Sequence, residues 1–298
     1  MNETQAGLSM YHISPQTLGT EIRKPEPKIK YCRGANLIVC ELGKTTNTKG
    51  KSHTWLRGRI THFSKGARRR ILRLVASLKR SEVPVFCTLT YPDIFPKSPQ
   101  VWKRDLDTFF KRLLRQFPRG IIIWRMERKE RQTGLSKGEI APHFHLLVYN
   151  VPYIYLLGWI SAAWYQVVDS GDERHFRAGT RVEPVRSVRG VLYYTSKYIC
   201  KQENDELEGI GRLWGIVGRY DHEGNSKLKA IQGEWEMIEL DQTTALTVLR
   251  YMRRRASELY KKGRYIGRRK IPGWGVKFTL IGDTEFWYQA VPKIQAIL

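Results

Sequence analysis

The chain has 298 residues, of which 52 are lysine or arginine and 28 are aspartate or glutamate, giving a formal net charge of +24. That length holds one substantial core, or a core with a smaller lobe, and the charge argues for a polyanionic partner, because each phosphate neutralised releases condensed counterions. The four cysteines, Cys32, Cys40, Cys87 and Cys200, stand at no zinc-knuckle or disulfide-framework spacing, so a reducing, cytoplasmic compartment is expected.

No basic stretch followed by an apolar one opens the chain, and residues 1 to about 30 are polar and proline-containing without periodicity. The expected organisation is a flexible arm over 1–50, a main domain over 51–220 and a basic helical extension over 221–298. Ser64 reads as the N-cap of a helix whose apolar face is Ala67, Ile71, Leu74, Val75 and Leu78. The β-branched run VPVFCTLTY, Val83 to Tyr91, predicts a strand closed by Pro92. Ser98-Pro99 opens a second helix, facing inward through Trp102, Leu106, Phe109, Phe110, Leu113 and Phe117.

GIIIWRME, from Gly120, and HFHLLVYN, from His143, predict a hairpin with a long charged tip. The apolar stretch from Val151 to Val168 is near the lower length limit of a membrane span and contains Pro152 and Gly158, so a largely buried amphipathic helix is expected. Next come a short strand from Thr180 to Val185, a helix capped by Ser187, and a strand from Gly211 to Arg219. A last helix starts near Asp241 and repeats Ala245, Leu249, Met252, Ala256 and Leu259. From Arg250 to Lys270 ten basic residues face one acid, Glu258, which suits a DNA-backbone contact.

Two patterns carry chemistry. In PHFHLLVY, the alternation of a strand sends His143 and His145 to one face while Phe144, Leu146 and Val148 point to the other. Glu127, near the same end of the hairpin and out of phase with Ile122, Trp124 and Met126, is placed across from them, with Glu130 and Glu139 as fallbacks. Two imidazoles and a carboxylate, with no cysteine, favour Mg²⁺ or Mn²⁺ acting as a Lewis acid. His12, His53, His62, His175 and His222 have no comparable setting and read as surface residues.

The second pattern is YYTSKYICK, in which a tyrosine-x-x-lysine unit occurs twice without a gap. On an α-helix Tyr194, Lys197, Tyr198 and Lys201 form one stripe, about 120° from a core stripe of Val188, Val191, Leu192, Thr195 and Ile199. Each phenol then has a cation beside it, and tyrosines one turn apart, roughly 6 Å along the axis, permit two successive attacks on phosphodiesters. Tyr193 lies on neither stripe.

Taken in order, FCTLTY, PHFHLLVY and YTSKYICK resemble the three motifs of HUH endonucleases, and the doubled tyrosine unit is similar to that of two-tyrosine rolling-circle replication initiators of phages and plasmids with single-stranded DNA. The resemblance covers residues 83–201. It implies an α+β fold with an antiparallel sheet palm, helices packed on one face and a tyrosine helix beside the histidine strand. It implies His143, His145 and a nearby acid, Glu127, as metal ligands, Tyr194 and Tyr198 as nucleophiles, and Lys197 and Lys201 orienting tyrosine or contacting phosphate. The implied activity nicks single-stranded DNA at a replication origin, keeps a 5′-phosphotyrosine, frees a 3′-hydroxyl and later rejoins the ends. Host polymerase, helicase and single-strand-binding protein are the implied partners, with no membrane. A single-strand transposase with the same site, or a non-catalytic nucleic-acid-binding protein, is the alternative.

Overall fold

The computed structural model describes residues 26–43, 60, 62–201, 210–261, 277–282 and 284–298. Residues 1–25 and 44–50 of the expected arm, 51–59, 61 and 202–209 of the expected main domain, 262–270 of the basic run, and His12 and His53 lie outside the described residues. In chain order the elements are β1 (Lys28–Arg33), β2 (Leu37–Glu41), α1 (Lys65–Ala76), β3 (Val85–Thr90), α2 (Pro99–Gln116), β4 (Ile121–Glu130), β5 (Ile140–Tyr149), α3 (Tyr153–Val167), α4 (Glu173–Ala178), β6 (Thr180–Pro184) and α5 (Val188–Tyr194). A π-helix (Thr195–Ile199) continues α5, followed by β7 (Trp214–Val217), α6 (Lys227–Ile231), β8 (Glu234–Glu239), α7 (Gln242–Lys261), β9 (Lys277–Ile281) and α8 (Thr284–Gln295). The fold is α+β with two antiparallel sheets.

The larger sheet has the order β6-β3-β5-β4-β7. Its registers pair Thr88 with His145, Arg125 with His145 and Glu127 with His143, so alternation sorts the strands into two faces. One face carries Val85, Cys87, Leu89, Phe144, Leu146, Val148, Ile122 and Met126, and α2 and α3 cover it. Trp164 stands edge-on to both Phe109 and Phe144, and its indole N–H donates to the Thr90 carbonyl at 2.6 Å. The helix cover expected on one face is therefore present. The opposite face is covered as well, because Ile121, Ile123, Leu147 and Tyr149 make it apolar and it too must leave water. There α1, α5 and the π-helix pack, with α1 capped by the Ser64 hydroxyl accepting from the Ala67 N–H at 3.1 Å, worth about 1 kcal/mol.

The smaller sheet, β8-β1-β2-β9, departs from the expected layout. Residues 28–41, assigned to the arm, form a hairpin whose partners come from the far end of the chain: β1 pairs with β8 and β2 with β9. Alternation explains the fit. Ile29, Ile38 and Cys40 face Ala245, Leu249, Met252, Phe278 and Ile294 in a second core, while Cys32, Leu37 and Val39 join the main one. The C-terminal region is thus a lobe built on the N-terminal hairpin and not an appended basic segment.

The stretch from Val151 is a helix buried along one side only: Leu156, Ile160, Ala163 and Trp164 are inside, while Ile154, Tyr155 and Leu157 are exposed. His175 is likewise a correction. It is 6% exposed, because its Nε2–H donates to the Thr90 carbonyl at 2.8 Å and its ring stacks on Tyr165. Among the described residues no helix is long and apolar enough to cross a membrane.

Candidate active site

The tyrosine-bearing helix lies against the sheet face that carries the histidines. Phe86, two residues before Thr88 on β3, is the floor: its ring centre is 4.8 Å from that of Tyr194 and 5.1 Å from that of Tyr198. The two phenol rings stack on each other at 5.8 Å with 22° between their planes, and the Tyr198 ring is 5.5 Å from the His145 ring. Both tyrosines are half-buried, whereas Tyr193 is exposed and meets Tyr194 edge-on.

The helix is not a regular α-helix here. The Cys200 N–H donates to the Thr195 carbonyl at 2.7 Å, an i to i+5 bond, and the Thr195 hydroxyl donates back to the Val191 carbonyl at 2.7 Å. A π-turn widens the helix between the two tyrosines and therefore rotates the residues beyond it away from an α-helical stripe. Val191, Leu192, Thr195 and Ile199 are still on the buried side, as the core stripe requires, joined by Cys200. The rotation separates the two lysines. Lys197 lies over the Tyr193 ring at 5.3 Å and the Tyr198 ring at 5.0 Å, and hydrogen bonds to these phenols push its pKa up. Lys201 leaves the stripe and pairs with the Glu127 carboxylate on β4.

Glu127 joins the two halves of the site. Its Oε2 accepts from His145 Nε2 at 2.7 Å while Oε1 accepts from Lys201. Burial alone would raise its carboxyl pKa, but these hydrogen bonds outweigh burial and hold it at about 2. His145 Nδ1 stands 3.1 Å from the Thr88 hydroxyl. His143 faces Glu127 in register, and its imidazole is pulled down to about 4, by burial first and by the neighbouring His145 second. It is therefore neutral at pH 7, as a ligand or proton acceptor must be. The Tyr194 phenol is raised by burial, then by the Glu183 and Tyr198 charges, with Arg181 opposing.

The donor set suits a divalent ion by chemistry: two imidazoles, one carboxylate, and a hydroxyl that holds one imidazole through its far nitrogen. Among the described residues no three His, Cys, Asp or Glu side chains form a ready-made cage. The Glu127 oxygen and His145 nitrogen that an ion would use are bonded to each other. The fallback acids stand elsewhere: Glu139 pairs with Lys97, and Glu130 is exposed at the end of β4.

Sequence reasoning missed four contributors. Phe86 and Thr88 were readable as alternate residues of FCTLT facing the histidine strand. Arg181 and Glu183 sit opposite Thr88 and Phe86 on β6, ion-paired at 2.6 Å, and nothing local announces them. Compared with protein-family models, curated proteins and solved structures, this chain has no match.

Proposed function

We propose that this protein is a rolling-circle replication initiator of the HUH type, which nicks and rejoins single-stranded DNA through its two tyrosines. The supporting observation is the convergence of one stacked phenol pair with the His145–Glu127 pair on a single sheet face, over Phe86.

The reaction is a transesterification. The phenol gives up its proton as its oxygen forms a bond to the scissile phosphorus, the P–O3′ bond breaks, and the departing 3′-oxygen takes up one proton, leaving the count unchanged. Ionising a phenol at neutral pH costs about 4 kcal/mol from its reference pKa near 10, so the attacking oxygen needs neighbouring positive charge. Lys197, in contact with the Tyr198 phenol, supplies it directly. A divalent ion held by His143, His145 and Glu127 would polarise the phosphate oxygens. Lys201 fixes the Glu127 carboxylate, and Phe86, packed against both stacked phenol rings, holds them side by side, so a second strand end can be attacked without release of the first. The freed 3′-hydroxyl would then serve a host polymerase, with helicase and single-strand-binding protein clearing the displaced strand. A single-strand transposase would use the same chemistry.

Incubation with origin single-stranded DNA and Mn²⁺ should give a protein–DNA adduct that survives denaturation, disappears with EDTA and is absent in the Tyr194→Phe/Tyr198→Phe protein. Salt-sensitive binding without any adduct would overturn the assignment in favour of a non-catalytic nucleic-acid-binding protein.

A further inference from the structure

Helix α1, KGARRRILRLVA, carries Lys65, Arg68, Arg69, Arg70 and Arg73 and no acid. Its apolar residues Ala67, Ile71 and Val75 are buried, so the cations occupy the rest of its circumference. They are spaced to repel one another: Lys65 with Arg68 and Arg69, and Arg73 with Arg69 and Arg70, are neighbours three or four residues apart. The repulsion is felt in the fold, since Arg73 has its pKa lowered by burial first and by Arg69 second. Other helices pair their charges internally, as Asp107 with Lys111, Glu173 with Arg177, and Arg255 with Glu258. Lys65, Arg69 and Arg70 are exposed and make no ion pair among the described residues.

The helix also has a definite address. It packs against α5 and the π-helix, and the Cys200 thiol, just after Tyr198, meets the Arg68 carbonyl at 3.6 Å. At its other end the Arg73 guanidinium donates to the Thr279 hydroxyl at 2.8 Å, anchoring α1 to the second sheet. Lys65, Arg69 and Arg70, without an acidic partner among the described residues and carried on a helix packed against the one that bears the phenols, are placed to meet an anionic ligand.

We infer that Lys65, Arg69 and Arg70 form a track for the sugar–phosphate backbone of single-stranded DNA entering or leaving the tyrosine site. The choice of single-stranded DNA as the polyanion rests on the proposed nicking activity. An anionic membrane surface fits less well, because an interfacial helix must bury its apolar face in lipid and that face of α1 is already in the protein core.

The test is a Lys65→Gln/Arg69→Gln/Arg70→Gln protein, made in the Tyr194→Phe/Tyr198→Phe background so that binding is scored without covalent chemistry. Fluorescence anisotropy with a labelled oligodeoxynucleotide is followed from about 50 to about 300 mM salt. Loss of three phosphate contacts should weaken binding at low salt and make the slope of log K against log salt shallower by about 2, at roughly 0.7 per contact on a single strand. The melting temperature should hold or rise, since like charges are removed. A charge-matched control, Lys111→Gln/Arg115→Gln/Arg119→Gln on and just beyond α2, should leave the slope nearly intact. Equal effects of both triples, or a triple that alters binding to phosphatidylserine vesicles and not to DNA, would overturn the track. Failure of the wild type to form an adduct while the slope change holds would reject the nicking activity and leave the track standing.

Discussion

Oε2 of Glu127 stands 2.7 Å from Nε2 of His145, and the other oxygen takes the Lys201 ammonium, so one buried carboxylate ties the sheet to the end of the tyrosine helix. Its carboxyl, held at about 2 against an ordinary 4.5, contributes stability that is fully present above 4.5 and is lost as pH falls through about 2. His143 acts in a different window. With its folded value at about 4 and the ordinary value at 6.5, the unfolded chain binds the extra proton between them, and stability declines as pH drops across that range. Acid unfolding followed by circular dichroism is expected to show both contributions. His143→Gln should flatten the one between 6.5 and 4. Glu127→Gln should remove the lower one and cost about 2 kcal/mol at pH 7, after discounting the half-exposed Lys201 for solvent screening. Acid profiles that superimpose for all three proteins would contradict this account.

On the proposed function, Thr88 would bear on metal binding through the His145 tautomer. A hydroxyl both donates and accepts, so Thr88 can hold the ring with its proton on Nε2, facing Glu127, or on Nδ1, which frees the Nε2 lone pair for a cation. Thr88→Val keeps the shape of the side chain and removes that second option's support. Mn²⁺ affinity measured by isothermal titration should fall by about 10–100-fold, with little change in melting temperature. An unchanged affinity would remove Thr88 from the site.

Phe86 touches Tyr194, Tyr198 and His145 at once and is 2% exposed. Phe86→Leu retains an apolar filling but takes away the flat surface under both phenols, and should cost about 1–2 kcal/mol of stability. Adduct formation measured well below the melting temperature should still drop severalfold, because the phenols lose the ring that supports both. If activity per folded molecule is unaltered, Phe86 is packing alone.

The elements of the main sheet were legible because each is specified by its own neighbours: the Ser64, Ser98 and Ser187 positions before apolar stripes, the β-branched run from Val85, and the two-residue alternation of PHFHLLVY. The hairpin of β1 and β2 was not, because what stabilises KIKYCR and LIVCE is pairing with strands some two hundred residues further along the chain. In the site, the same-face placement of His143, His145 and Glu127 follows from period alone. The destination of Lys201 does not. An α-helical stripe puts it beside a phenol, and only the π-turn at Thr195, which leaves no mark in the side-chain pattern, swings it to a carboxylate 74 residues away.

The surroundings of the two tyrosines beside that π-turn are unequal. The Tyr198 ring lies near His145 and its phenol contacts Lys197, whereas Tyr194 has its phenol pKa raised by burial and by Glu183. Tyr198 is therefore expected to make the first cut on a free oligonucleotide and Tyr194 to act on a second strand. Tyr198→Phe should lower adduct yield in single turnover by about 100-fold, the scale of losing an electrostatically supported reacting group, while Tyr194→Phe lowers it little. Tyr194→Phe should instead block transfer of the bound end to a second oligonucleotide. Lys197→Met should slow the Tyr198 step, since the ammonium beside that ring is then absent when charge builds on the phosphate. Mapping the DNA-linked tyrosine by mass spectrometry decides the order: an adduct found first and mainly on Tyr194 would reverse it.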